Sequence, residues 1–136
     1  AYSANMGQSI PRPASVFSYY AADTPVPGDN PDDLIGPAFG VLDTGTITVR
    51  ANFVHDLLFS SGLANNGVLY DLTVVPEDTA GMLAWIDESW LSGAMTMQLR
   101  DGLTAALADP RSGSTARKRQ LALYLAAMSP EFQIQR

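Results

Sequence analysis

Residues 77–128 read EDTAGMLAWIDESWLSGAMTMQLRDGLTAALADPRSGSTARKRQLALYLAAM, and this stretch decides the fold because apolar residues recur in it at helical spacing. Three such patterns, separated by turn residues, predict helices over 77–91, 96–108 and 115–128. Trp85 lies well off the apolar stripe of the first helix. The residues expected to face inward are Met82, Leu83, Ile86 and Trp90 in the first helix, Leu99, Leu103 and Ala106 in the second, and Leu121, Tyr124, Leu125 and Met128 in the third.

Residues that commonly begin or end helices stand at the predicted boundaries. They are Pro76, Glu77 and Asp78 at the start of the first helix, Thr96 and Asp109-Pro110 at the two ends of the second, and Ser114 or Thr115 and Ser129-Pro130 at the two ends of the third. The agreement between stripes and caps strengthens the prediction of three consecutive helices.

A further helix is predicted upstream, over 46–61, with Asp43 or Thr44 as its cap. Its apolar stripe is formed by Ile47, Ala51, Val54 and Leu58, widened by Phe53 and Leu57. Between this helix and the next, residues 68–75 are rich in β-branched and aromatic side chains, which favours an isolated strand or an extended connector. We therefore predict a mainly α fold of about four helices with at most one short strand pair.

Prolines crowd the beginning of the chain, where six of the nine fall within the first 37 residues. They exclude long helices there, because each proline removes a backbone donor and restricts the residue before it. We divide the chain into an irregular docking arm, 1–45, and a helical domain, 46–136. The arm carries Val16, Phe17, Tyr19 and Tyr20, too much apolar surface for a free linker, so we expect it to pack on its own helices or on another chain.

The composition excludes several classes of function. The net charge of −6 argues against a nucleic-acid partner, and the lack of cysteine excludes thiolate metal sites, iron–sulfur clusters and disulfides. The longest uncharged stretch, 57–70, is interrupted by polar residues, so no transmembrane segment is expected. Only 16% of the residues are charged, against about 25% in a typical soluble domain. This shortage predicts that a partner covers part of the surface.

Three features of the sequence are candidate sites of chemistry. His55 is the single histidine, and beside the apolar stripe it is expected to be a partly buried structural residue, with a general base or an axial ligand as the alternative. Asp87 and Glu88 are adjacent on a helix and so point about 100° apart, which favours a solvated face over a shared site. The loop 29–33 gathers Asp29, Asn30, Asp32 and Asp33, and a solvated turn is favoured over a calcium site because the spacing differs from that of an EF-hand.

We therefore predict no catalytic, cofactor-binding or metal-ligating residue and no cofactor. One basic cluster, Arg111, Arg117, Lys118 and Arg119, lies near the start of the last helix, where positive charge opposes the helix dipole. It is interpreted either as a solvated basic face or as a surface compensated by a carboxylate, an anion or a contacting chain. The candidate partner contacts are Val16, Phe17, Tyr19, Tyr20, Arg117, Lys118 and Arg119.

Four short motifs run through most of the chain: PASVFSYY at 13–20, LIGPAFG at 34–40, ANF at 51–53 and SPEFQIQR at 129–136. In this order they resemble the C-terminal part of the bacterial "domain of unknown function 1800" family. Ala38 departs from the pattern, which has an acidic residue at that place. The resemblance implies an exported, mainly helical protein several times longer than this chain, with Arg136 as its natural C terminus and no established reaction.

Two functions follow from these observations. We favour a non-enzymatic structural or interaction subunit of a larger exported bacterial assembly, periplasmic or extracellular, whose partner is another protein chain or the missing N-terminal part of the same polypeptide. The alternative is a fragment of an exported enzyme, such as a hydrolase, whose catalytic residues lie in another chain or in the absent N-terminal part. The alternative requires His55 or the loop 29–33 to line a shared cleft.

Overall fold

The computed structural model describes residues 23–25, 33, 35, 44–60 and 70–133, and it confirms a mainly α fold. The described chain forms the α-helices α1 (Thr44–Phe59), α2 (Thr79–Trp90), α3 (Met97–Ala108), α4 (Thr115–Met128) and α5 (Pro130–Gln133). Two 3-10 helices, Leu72–Val74 and Pro110–Ser112, lie between them. Among the described residues β pairing is confined to an isolated antiparallel bridge between Pro25 and Ile35. In that same part of the chain no helix is both long and apolar enough to cross a bilayer.

The chain divides into two compact units, Ala1–Phe53 and Val54–Arg136, and α1 contributes residues to both. In the first unit, the described residues are those around the Pro25–Ile35 bridge and the first part of α1. Asp33 is exposed there and has a φ of 48°. The candidate partner contacts Val16, Phe17, Tyr19 and Tyr20, like most of the predicted arm, lie outside the described residues.

Capping side chains begin α2, α3 and α4, as the sequence predicts. Each cap accepts the N–H of the residue three positions later and so satisfies one of the donors that a helix start leaves free. The pairs are Asp78 with Gly81 at 2.7 Å, Thr96 with Leu99 at 3.2 Å, and Ser114 with Arg117 at 3.3 Å. For α4 the cap is therefore Ser114 rather than Thr115.

Helix α4 lies at the centre of unit 54–136, where it packs against α2, α3, α5 and both 3-10 helices. Of the expected inward-facing residues of α4, Tyr124 packs against the core while partly exposed, but Leu121, Leu125 and Met128 are only partly buried and are not the residues that the helix buries. Neighbours on several sides leave no single apolar stripe, and small side chains let the surrounding helices approach closely. The residues that α4 buries are Ala122, Leu123, Ala126 and Ala127.

The predicted faces of α2 and α3 are largely confirmed. Trp90 and Leu99 pack against the core while partly exposed, and so does Trp85, which the sequence places off the stripe. The fully or nearly fully buried residues of the two helices are Met82, Leu83 and Ile86 in α2, and Leu103 and Leu107 in α3. Val75 and Leu91, in the connections before and after α2, complete this core.

Two expectations upstream need correction. Ile47, expected on the apolar stripe of α1, is 45% exposed. Within unit 54–136, Leu58 is buried in the core and Val54 packs against it. Residues 72–74 are a 3-10 helix and not a strand or an extended connector. The cause is local: the Asp71 carboxylate accepts both the N–H of Thr73, at 2.9 Å, and its hydroxyl, at 2.6 Å, which bends the backbone into a turn.

Candidate interaction surface

Three rings and one guanidinium group stack at the surface of unit 54–136. His55 and Phe59 are one turn apart on α1, and their ring centroids are 4.8 Å apart. Tyr124 of α4 approaches His55 and Phe59 edge-on, at 6.2 and 6.1 Å. The guanidinium carbon of Arg117, also on α4, lies 4.2 Å from the centre of the Phe59 ring, well within the range of a cation–π contact. We call these four residues the aromatic–arginine cluster.

The aromatic–arginine cluster lies partly in the core and partly in solvent. Phe59 and Tyr124 are partly buried and pack against the core, whereas Arg117 is exposed. The His55 side chain is 54% exposed, which is more open than the partly buried residue expected from the sequence. Its ring is nevertheless flanked by Phe59. The cluster therefore combines a fixed apolar base with accessible polar edges.

The polar contact described for His55 is with its neighbour Asp56, whose Oδ1 lies 3.5 Å from His55 Nδ1. Both side chains are more than half exposed, so this pair is weakly held. The other contacts described for His55 are with Phe59 and Tyr124. None of these partners is a serine or threonine nucleophile that a histidine base could activate.

Two of the four basic residues near α4 have a carboxylate partner. The Arg111 guanidinium lies 2.7 Å from Asp109, a contact that lowers the pKa of the carboxyl and raises that of the guanidinium. Arg119 lies 3.6 Å from Glu77 and donates to the carbonyl of Pro76 at 3.3 Å. Compensating carboxylates, which are one interpretation of the basic cluster, are thus present for these two arginines.

Arg117 and Lys118 differ from this pair. Within the described part of the chain neither side chain makes an ion pair, and Arg117 is held by the Phe59 ring instead. The donor fork of Arg117 therefore stays available to an outside acceptor.

Two further exposed apolar side chains lie in the elements that follow the end of α2 and the end of α4. Phe132 of α5 is 39% exposed and its ring is 5.3 Å from that of Trp90, while Met97 at the start of α3 is 79% exposed. Trp90 also contacts Tyr70 and Trp85. Burial raises the pKa of Tyr70, and a hydrogen bond with Trp90 offsets part of that rise.

The expectation that Asp87 and Glu88 form a solvated face is wrong for Asp87. Glu88 is exposed, as predicted for a solvated face, but the Asp87 carboxylate accepts the N–H of Met95 at 2.9 Å and lies 3.5 Å from Arg100. It holds the turn between α2 and α3, in which Ser92 and Gly93 both have positive φ, 52° and 79°. Asp87 is therefore a structural residue rather than part of a solvated pair.

The sequence identifies Arg117 and His55 as candidates but not the contacts of the Phe59 and Tyr124 rings that join them. The spacing of His55 and Phe59, four residues apart on a helix, is a signal that could have revealed that contact. The approach of Tyr124 depends on how α4 packs against α1 within unit 54–136, and no local pattern encodes it.

Among the residues that the structure describes, no three histidine or carboxylate side chains lie close enough together to hold a metal ion. Of the acidic loop only Asp33 is described, and Asp29, Asn30 and Asp32 lie outside the described residues.

Compared with protein-family models, with curated proteins and with solved structures, the chain matches none. The resemblance to the "domain of unknown function 1800" family stays a prediction from its motifs.

Proposed function

We propose that this chain is a non-enzymatic interaction subunit of a larger protein assembly. The observation that carries the proposal is the aromatic–arginine cluster, in which Arg117 rests on Phe59, is exposed and has no ion-pair partner among the described residues. Arginine and aromatic side chains are enriched among the residues that dominate the binding energy of protein interfaces. A surface that presents both on a rigid helical base is suited to such a contact.

The stacking of Arg117 on Phe59 favours binding for an entropic reason. A long side chain that is already held in place loses less conformational freedom when it meets a partner. The planar guanidinium then presents its donors to a carboxylate. The exposed His55 ring lies against the same Phe59 ring. The partner that fits is a protein surface with a carboxylate next to apolar side chains.

The setting of the assembly is a further part of the proposal. The motifs at 13–20, 34–40, 51–53 and 129–136 support a bacterial, exported location, periplasmic or extracellular, with another chain or an N-terminal part of the same polypeptide as partner. Fractionation of the producing cells, followed by immunoblotting of the chain, tests the location. Recovery of the chain in the cytoplasmic fraction alone would contradict it.

Native mass spectrometry of the full chain, purified from the cells that make it, tests the interaction. We expect a species heavier than the 14.5 kDa of one chain. The Arg117→Ala variant should release the partner, whereas Arg111→Ala should retain it, because Arg111 is exposed but already paired with Asp109. Circular dichroism of both variants verifies that they fold. A wild-type chain found only at its own mass would refute the proposal.

A further inference from the structure

We propose that α5 (Pro130–Gln133) is a strap that opens and closes over Trp90 while the rest of unit 54–136 stays folded. Such a strap lies outside the aromatic–arginine cluster and needs no partner chain to move. Three features of the molecule support it: a hinge between α4 and α5, the shallow seat of α5, and the two hydrogen bonds of the Thr96 hydroxyl.

The hinge lies at Ser129 and Pro130, where α4 ends and α5 begins. The Ser129 N–H completes the backbone bonding of α4 by donating to the carbonyl of Ala126 at 3.0 Å. Ser129 itself is extended, with a φ of −75° and a ψ of 152°. Pro130 has no N–H and so cannot continue that bonding. Rotation about the Ser129 ψ angle therefore moves α5 and leaves the described backbone bonds of α4 intact.

The described bonds that cross this hinge are weak ones that involve side chains. Gln133 Nε2 donates to the carbonyl of Met128 at 3.1 Å. The Phe132 N–H reaches Ser129 Oγ only at 3.4 Å, beyond the usual range of such bonds. Neutral hydrogen bonds that can be exchanged for bonds to water contribute little to stability, so these two oppose opening only slightly.

Helix α5 sits shallowly on its neighbours. None of its four residues is buried, whereas α4, directly before it, buries four. Its described contacts with α2 and with the start of α3 are the Phe132 ring against the Trp90 ring and the bond of the Glu131 carboxylate to the Thr96 hydroxyl. Segments with few buried apolar contacts open at a lower free energy than the core. We therefore expect α5 to open far more often than the unit unfolds.

Thr96 couples this movement to α3. Its hydroxyl hydrogen is donated to Glu131, and its oxygen accepts the Leu99 N–H at 3.2 Å as the cap of α3. When Glu131 leaves, the Thr96 side chain loses a bond that holds its orientation, so the cap is formed for a smaller fraction of the time. The first turn of α3 should thus loosen whenever α5 opens, although Thr96 and Glu131 are 35 positions apart in the chain.

Opening also changes the surroundings of Trp90. Its indole has three described aromatic neighbours: Tyr70, with ring centroids 5.9 Å apart, Trp85 at 6.4 Å, and Phe132. Of these, Phe132 alone belongs to α5, so opening removes one of the three rings and exposes that side of the indole to solvent. The closed and open states therefore present different surfaces at this end of unit 54–136.

Amide hydrogen exchange of the full chain, followed by NMR at a series of low urea concentrations, tests the proposal. The reporter is the Leu99 N–H. The matched control is the Arg117 N–H, which has the same kind of cap, from Ser114, at a helix start with no described contact to α5. Glu131→Ala and Phe132→Ala remove the two contacts of α5 one at a time, and circular dichroism verifies the fold of each variant.

We expect each variant to speed exchange at Leu99 about tenfold and to leave Arg117 within about twofold of its wild-type rate. Phe132→Ala is decisive, because Phe132 has no described contact with Thr96 or Leu99 and reaches the cap only if α5 moves as a unit. Phe132→Leu keeps an apolar side chain and should raise the rate less. In wild type, exchange at Leu99 should depend on urea far less than at Leu123, which is buried in α4, because strap opening exposes little surface.

Two results would overturn the proposal: a Leu99 rate that Phe132→Ala leaves unchanged, and a wild-type Leu99 rate that depends on urea as steeply as that of Leu123. The urea series uses the wild-type chain alone, so it decides the question even where a variant does not fold. Neither result bears on the proposed function, which native mass spectrometry of Arg117→Ala tests separately.

Discussion

The Thr96 hydroxyl donates a hydrogen bond to the Glu131 carboxylate, and the same oxygen accepts the N–H of Leu99. One side chain therefore caps α3 and fastens α5 to it. A helix as short as α5 has no stability of its own in water, so it depends on this bond and on the contact between Phe132 and Trp90.

Replacing Thr96 by valine should lower the free energy of unfolding by about 1–3 kcal/mol, because both the cap and the bond to Glu131 are lost. Thr96→Ser keeps the hydroxyl and should cost less than about 1 kcal/mol. Thr104→Val, at an exposed threonine whose hydroxyl donates to the carbonyl of Arg100, is the matched control and should cost about 0.5 kcal/mol or less. Urea unfolding measures all three; equal losses for the valine variants at 96 and 104 would contradict the assignment.

Gln120 links α4 to the end of α1, since its side-chain amide donates to the carbonyl of Leu58 at 2.6 Å. We expect Gln120→Glu to destabilise unit 54–136 by about 1–3 kcal/mol, because a carboxylate cannot donate at neutral pH and would face the negative end of a helix. Gln98→Glu, at an exposed position in the first turn of α3, should be neutral or slightly stabilising. Thermal unfolding followed by circular dichroism distinguishes the two, and a neutral Gln120→Glu would show that the bond contributes little.

Two helical glycines should respond to alanine in opposite directions. At Gly102 an added Cβ meets no atom within 4 Å, so Gly102→Ala should stabilise the protein by about 0.5–1 kcal/mol through helix propensity. At Gly81 the Cβ would lie 2.7 Å from Asp78 Oδ2 and 2.8 Å from the Cβ of Pro76, and Gly81→Ala should be destabilising because it displaces the cap of α2. Chemical denaturation measures both signs. A gain in stability from Gly81→Ala would mean that the turn before α2 yields readily.

Stability should fall in alkaline solution because of Tyr70. Burial raises the pKa of this phenol in the folded state, so the folded protein holds the proton more tightly than the unfolded chain does. The protonated phenol therefore adds to the free energy of unfolding. This contribution is fully present below the unfolded pKa of about 10 and is lost as the pH rises through the folded pKa. Urea unfolding at a series of pH values should show a shallower alkaline decline in Tyr70→Phe than in wild type. An identical slope in both would refute the prediction.

The helix starts were predictable because capping is local: Asp78, Thr96 and Ser114 each bond a backbone group three residues away. The buried face of α4 was not predictable. Ala122 and Ala126 are buried because α4 packs against several elements, and the sequence of α4 has no single apolar stripe that marks them. The sequence around Asp87 indicates a solvated residue. The hydrogen bond that it accepts from the Met95 N–H depends on the turn through Ser92 and Gly93, which a helical pattern does not reveal.

The candidate interaction surface, too, was only partly predictable from the sequence. Charge alone singles out Arg111, Arg117, Lys118 and Arg119, but charge does not say which of them is paired. That depends on the fold, which brings Glu77 to Arg119 and a ring, Phe59, to Arg117. Whether an arginine is paired or available is therefore determined by the tertiary structure.

The central place of α4 has a consequence for protein synthesis. The apolar faces of α2 and α3 pack against α4. Because α2 and α3 leave the ribosome before α4, they have no complete core until α4 has emerged. Until then the nascent chain exposes apolar surface, and a chaperone that shields it during this interval would protect the chain from aggregation. An arrest sequence joined through a linker long enough to span the ribosomal tunnel should for this reason yield a protease-sensitive chain when it follows Ser114 and a resistant one when it follows Arg136.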